Sequence, residues 1–212
     1  MDPFISSEDL AAFMGGATIE PALEAIALDA GCQLVRDYLE QTVNLVRDDI
    51  EFHDGTGREG LLLKELPVIE VTLVSEDATD LAEDTDYIAW KGGGILWRQG
   101  GQTIPSKWAS GRQNVEVIYD HGWAISQDDV VETSEGFEVD LVPSSIRLAA
   151  LEAAARIVRA PSLAAVASGI TGETIGAYSY TASLGAMSSV IAAGLLAEEK
   201  LSLDRYRPGG RA

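Results

Sequence analysis

The chain has 212 residues, 34 acids against 15 bases, a formal net charge of −19 and 46% apolar residues, enough apolar content for a packed core in one domain or one domain with an appended arm. The charge is uneven: residues 1–69 hold 14 acids and 4 bases, 70–140 hold 15 and 4, and 141–212 hold 5 and 7. An acidic body argues against ordinary nucleic-acid binding, which needs Lys and Arg to displace phosphate counterions, while leaving room for a channel that DNA passes without sticking; the same charge also keeps a protein dispersed.

Cys32, the single cysteine, excludes an intramolecular disulfide and a cysteine-based zinc cluster; inside a predicted helix it reads as a small buried hydrophobe. The opening MDPFISSEDL has neither a basic start nor an apolar stretch, so no secretory signal is expected. No apolar run approaches the roughly 18–20 residues that span a bilayer. The expectation is a soluble protein, cytoplasmic where it is made.

Ser6, with Asp9 three residues on, forms a capping-box-like start to a short helix over 6–15, ended by Gly15-Gly16. A longer helix is predicted over 18–42, with Glu20, Pro21 and Glu24 in its first turns. Two stripes share it: Leu23, Ile26, Ala27, Ala30, Leu34 and Tyr38 beside Leu28, Cys32, Val35 and Leu39. Gly31 in its interior asks for a close neighbouring backbone.

From Val43 the period becomes that of strands, giving a β insertion over 43–123. Val43, Leu45, Ile50 and Phe52 lead to a reversal at His53-Asp54-Gly55, and Leu61–Leu63 is a short apolar strand. Ile69, Val71 and Leu73 alternate with Glu70 and Thr72, as in a half-buried strand. An acidic loop from Glu76 to Asp86 precedes a hairpin, Tyr87–Trp90 and Ile95–Arg98, around three glycines. Val115, Val117 and Tyr119 alternate in a last strand, and a polar stretch covers 126–140. An alanine-rich helix is predicted over 143–160 and stopped by Pro161, with Ile146, Ala150, Ala153 and Ile157 on one face and an i,i+4 pair of Glu152 and Arg156. That face suits either a tight monomer core or packing between subunits. Residues 162–183 read as extended or flexible, and a final helix over 188–206 is followed by a basic tail.

No catalytic pattern emerges. His53 and His121 sit at strand ends beside Asp and Gly and read as turn residues, without zinc-protease spacing or a third ligand. The acidic loop fails the EF-hand pattern, and Asp48-Asp49 and Asp128-Asp129, as neighbours on extended chain, point apart. Gly169–Gly176 carries Glu173 where a phosphate loop needs Lys. No cofactor and no metal site are expected. Trp90, Trp97, Trp108 and Trp123 fall within the β region near Arg98 and Lys107; aromatics beside cations can stack on bases or sugars, and core or interface packing is the competing reading.

The order of these elements resembles the head–tail connector, or head-completion adaptor, of tailed bacteriophages. Its carriers are the N-terminal helix pair, Leu63–Val71, Asp86-Tyr87-Ile88 with Gly94–Arg98, Val115–Trp123, Val142-Pro143 with the alanine-rich helix, Gly176–Thr181 and Leu203–Arg207. The resemblance implies an α+β fold: a helical bundle with an inserted antiparallel β region and a C-terminal helical arm. It divides the chain into a connector core over 1–161 and, over 162–212, a linker with a portal-docking arm. It further implies a structural protein of the virion neck, made in the host cytoplasm and without a membrane partner, that forms a ring of twelve copies below the portal protein. That ring would extend the DNA channel without sequence-specific binding and offer its far face to a stopper or tail-completion protein. Leu203, Arg205, Tyr206, Arg207 and Arg211 would dock on the portal, and Ile146, Ala150, Ala153 and Ile157 would pack the ring. The alternative is a small β-rich enzyme or carbohydrate-binding module using the tryptophans.

Overall fold

A computed structural model describes residues 2–101, 105–130, 139–169, 173–175, 178–180 and 194–208. The fold is α+β, a helical bundle with an inserted antiparallel β region and a C-terminal helix. The chain divides into two compact units. One, helical, comprises residues 1–39 and 143–205; the other, β, comprises 40–142 and 206–212.

The helical unit holds α1 (Ser7–Phe13), α2 (Pro21–Leu39), α3 (Ser144–Gly169) and α4 (Ala197–Leu203), with a hairpin of β8 (Glu173–Ile175) and β9 (Tyr178–Tyr180) between the last two. The expected capping box starts α1: Ser6 Oγ accepts the Asp9 N–H at 3.0 Å, and Asp9 Oδ2 accepts the Ser6 N–H at 3.1 Å. Glu20 caps α2 by accepting the Leu23 N–H at 2.9 Å. In α2 the stripe of Leu28, Cys32, Val35 and Leu39 is buried throughout, whereas Ile26 of the other stripe is exposed. Gly31 is where α2 meets α3. A Cβ there would lie 2.7 Å from the Ala150 carbonyl oxygen and 3.0 Å from Ala154 Cβ, so the absent side chain lets the two backbones approach.

Three features differ from the sequence expectation. The alanine-rich helix does not stop at Pro161 but continues to Gly169. Proline removes one helical N–H, and the Ser-Leu-Ala-Ala run after it resumes the ladder with good helix formers. Residues 162–183, read as extended or flexible, therefore begin inside α3 and include the β8–β9 hairpin. The last helix is shorter than expected: α4 spans seven residues, Ala197–Leu203, followed by a 3-10 turn at Asp204–Tyr206. Positions 188–193 and 209–212 lie outside the described residues, as does most of the 126–140 stretch.

The β unit is built from two small antiparallel sheets. One is ordered β1-β7-β3-β4, from β1 (Val46–His53), β3 (Val68–Glu76), β4 (Thr79–Asp80) and β7 (Val115–His121); the other is ordered β2-β6-β5, from β2 (Gly60–Leu62), β5 (Tyr87–Trp90) and β6 (Ile95–Arg98). Their inner faces share one core in which Val71, Val74, Val117 and Tyr119 meet Leu61, Tyr87, Leu96 and Trp108. Strand β7 alternates without a break, every odd residue from Val115 to His121 being buried, the pattern of a strand with one face on a core.

Strand β1 breaks the expected pattern. Val46 pairs with His121 but Asp49 pairs with Tyr119, so β1 carries one extra residue against β7. Asp48 occupies the left-handed region at φ 50° and donates its N–H to Asp120 Oδ1 at 2.8 Å. A bulge of one residue exchanges the two faces of everything beyond it. Beyond it Ile50 and Phe52, the apolar members of β1, are therefore exposed, and Glu51 between them turns inward against Val117.

Candidate interaction surfaces

The inward turn of Glu51 creates a polar cluster inside the β unit. Its Oε2 lies 3.0 Å from His53 Nε2 and accepts the Tyr119 hydroxyl at 3.0 Å, while Oε1 lies 3.1 Å from Lys64 Nζ. The Tyr119 oxygen in turn accepts the Glu65 N–H at 3.2 Å. Burial alone would raise the Glu51 carboxyl, but the bonds from His53, Lys64 and Tyr119 outweigh it and hold the group down at about 2. Tyr119 is pushed up, by burial first and then by the Glu51 charge. Two residues further along β7, His121 Nε2 lies 3.2 Å from Asp49 Oδ2, and its ring stands 5.3 Å from that of Tyr119.

Both histidines thus end strands as expected, and each is bound to a carboxylate of β1. The sequence gives no sign that Glu51 is buried beside Tyr119. The only available signal was a Glu flanked by Ile50 and Phe52, which simple alternation turns outward. Among the described residues no group of three or more His, Cys, Asp or Glu is placed to hold a metal ion, and no helix is long and apolar enough to cross a membrane.

The four tryptophans do not form one surface. Trp108 and Trp123 are buried, and Trp108 Nε1 donates to the Leu96 carbonyl at 3.3 Å. Trp90 and Trp97 stand on the outer face of the β2-β6-β5 sheet, exposed by 53% and 42%, beside Leu62 at 67% and Ile88 at 41%. Register explains the grouping: Trp97 faces Gly60 on one side and Ile88 on the other, and Ile95 faces Leu62 and Trp90, two apolar rows across three strands. Arg98 is occupied structurally, donating Nη1 to the Asp86 and Gln99 carbonyls, each at 2.6 Å, and pairing Nε with Glu76 at 3.2 Å. Lys107 is exposed and lines a shallow groove of about 480 Å³ with residues 57–60, Leu62, Ile95 and Trp97.

The residues named for ring packing are spent largely within the chain. Ile146, Ala150 and Ala153 are buried in the helical unit and Ile157 is half-buried, whereas Leu148 on the same helix is exposed. Arg156 acts on Glu152 through its charge, as the i,i+4 spacing predicts, but its guanidinium hydrogen-bonds elsewhere: it binds the buried Glu199 of α4, Nη2 to Oε2 at 3.0 Å, and donates to the Gly194 carbonyl at 3.2 Å. Burial, and then the neighbouring Glu199, push the Glu152 carboxyl up.

Of the residues named for portal docking, each described one makes contacts within its own unit. Leu203 is fully buried in the helical unit. Arg205 is exposed, with Nη2 3.1 Å from Ser145 Oγ. In the β unit Tyr206 stands edge-on to Trp123 with ring centres 6.0 Å apart, its carbonyl accepts the Gln41 amide at 2.7 Å, and Arg207 reaches Glu40 at 2.8 Å. Arg211 lies outside the described residues.

No family model and no curated protein matches the chain. Among solved structures it is similar to a chain in the neck of an empty GTA particle computed with C6 symmetry, at 14% identity and a TM-score of 0.42, covering 93% of this chain and 88% of that one. A likeness of that depth assigns neither a family nor a function.

Proposed function

We propose that the chain is a structural adaptor of a phage neck, a ring-forming protein that sits below the portal, extends the DNA channel and presents a docking face to a stopper or tail-completion protein. The observation that carries this reading is the outer face of the β2-β6-β5 sheet, where Leu62, Ile88, Trp90 and Trp97 stand exposed on a strongly acidic chain. Contiguous exposed apolar rows are the mark of a surface that another protein covers, which is what an assembly component needs and a reactive cleft does not. The order of elements along the sequence supports the same reading. Arg205, Arg207 and Arg211 are the charged side chains best suited to the portal contact, since Leu203 is spent on the core.

The test is electron microscopy of the full chain mixed with purified portal rings. Extra density of matching rotational symmetry beneath the portal is expected. A chain that leaves the portal unoccupied at every ratio overturns the adaptor reading. The exposed Trp90 and Trp97 give the carbohydrate reading its one physical foothold, and its assay is saccharide binding that disappears in Trp97→Ala. Trp108→Ala is uninformative there, because Trp108 belongs to the core.

A further inference from the structure

Strand β2 is an open edge. Arg98 donates its N–H to the Glu59 carbonyl, and Leu63 donates its N–H to the Gly94 carbonyl, both at 2.8 Å. Odd-numbered residues of β2 therefore bond to β6, and the N–H and C=O groups of Gly60 and Leu62 point off the sheet, where no described strand pairs with them. The groove along this edge carries the exposed Leu62 and Trp97, and Arg58 and Lys107 border it, exposed and without an anionic partner among the described residues. In a chain of net charge −19, two unpaired cations beside an unpaired strand edge are an exception that calls for an anionic, extended occupant.

The same unit offers such a segment. Strand β4 is the outer edge of the other sheet, and both its residues are exposed. Leu81 donates its N–H to the Val74 carbonyl at 2.8 Å and Thr79 pairs with Glu76, so the backbone groups of Asp80 face away from β3. The loop around it carries Asp77, Asp80 and Asp84, none of them bound to a cation among the described residues. The two edges are different, complementary and on different sheets.

We infer that the β2 edge groove of one copy takes the acidic β4 edge, residues 77–86, of a second copy, with Arg58 and Lys107 meeting its carboxylates. Such a contact joins unlike surfaces head to tail, the kind that closes into a ring when its rotation allows. The inference rests on the ring-forming reading above and names the surfaces that would build it.

Charge exchange between full-length chains tests it. One variant carries Arg58→Glu and Lys107→Glu, the other Asp80→Lys and Asp84→Lys; all four positions are exposed, so each variant is expected to keep the wild-type melting temperature. By sedimentation velocity the wild type should associate as concentration rises. Each variant alone should lose about tenfold or more in association constant, because like charges then face each other. An equimolar mixture should recover association, since the reversed groove of one fits the reversed loop of the other. Variants that associate like the wild type, a mixture that stays monomeric, or a wild type that is monomeric throughout each overturn the inference. Portal binding of the same variants separates the two readings: if they occupy portal rings while the exchange fails, the adaptor reading stands and this interface falls.

Discussion

The Tyr119 hydroxyl donates to Glu51 Oε2 at 3.0 Å across the β1–β7 pair, so a charged side chain is built into the inner face of the sheet. A buried carboxylate is tolerated only when its charge is matched and its oxygens are bonded. Here His53, Lys64 and Tyr119 meet both conditions.

Glu51→Gln should lower stability by about 1–3 kcal/mol, as expected when buried partners lose a charged acceptor. The pH dependence follows from the direction of its shift. Glu51 titrates at about 2 when folded against 4.5 ordinarily, so its contribution is present above 4.5 and is lost as pH falls toward 2. Urea melts of wild type and variant at pH 7 and pH 3 check this. The difference between the two proteins should shrink at the lower pH.

Gly31→Ala sets a helix-propensity gain of about 1 kcal/mol against a Cβ placed 2.7 Å from a backbone carbonyl. The clash wins, because Ala150 is in a helix and cannot swing aside; overpacking of this kind costs about 1–3 kcal/mol. Net destabilisation is expected in thermal melts, larger for Gly31→Val. A stabilised Gly31→Ala protein would show that α2 and α3 are less closely apposed.

Arg156→Leu leaves the buried Glu199 without its cation and should cost about 3 kcal/mol. The loss should concentrate on α4. Hydrogen exchange is the direct readout: amides of Ala197–Leu203 should lose protection before those of α2.

The combined substitution Arg205→Ala, Arg207→Ala and Arg211→Ala tests the portal-docking proposal. Deleting the tail from Arg205 would also remove Tyr206 from Trp123, confusing docking with stability, so point changes are preferable. The hydrogen bond of Arg205 to Ser145 and the ion pair of Arg207 with Glu40 lie at or near the surface and are worth about 1 kcal/mol or less each. The melting temperature should hardly move while occupancy of portal rings falls several-fold. Unchanged occupancy would remove the arginines from the interface.

Much of the architecture was legible from local chemistry. The Ser6 and Asp9 spacing marks α1, the Leu28, Cys32, Val35 and Leu39 stripe marks the buried side of α2, and the alternation from Val115 to Tyr119 marks β7. Each is a property of a few neighbouring residues. The interaction surfaces were less legible. Trp90 and Trp97 reach the surface through their places in β5 and β6, while Trp108 and Trp123 lie outside the strands and are buried, and the face of Ile146, Ala150 and Ala153 is taken by the chain's own packing, because Gly31 admits α3 so closely.

By itself, then, the sequence determined the element types, the acidic body and the order of helices around a β insertion. Tertiary structure alone decided which side of each strand is covered. One extra residue at Asp48 exchanges the faces of β1, placing Glu51 inside and Ile50 and Phe52 outside. Side-chain periodicity fixes that two faces differ, but which one is buried depends on register with a partner strand about seventy residues away, set by hydrogen bonds that no local pattern encodes.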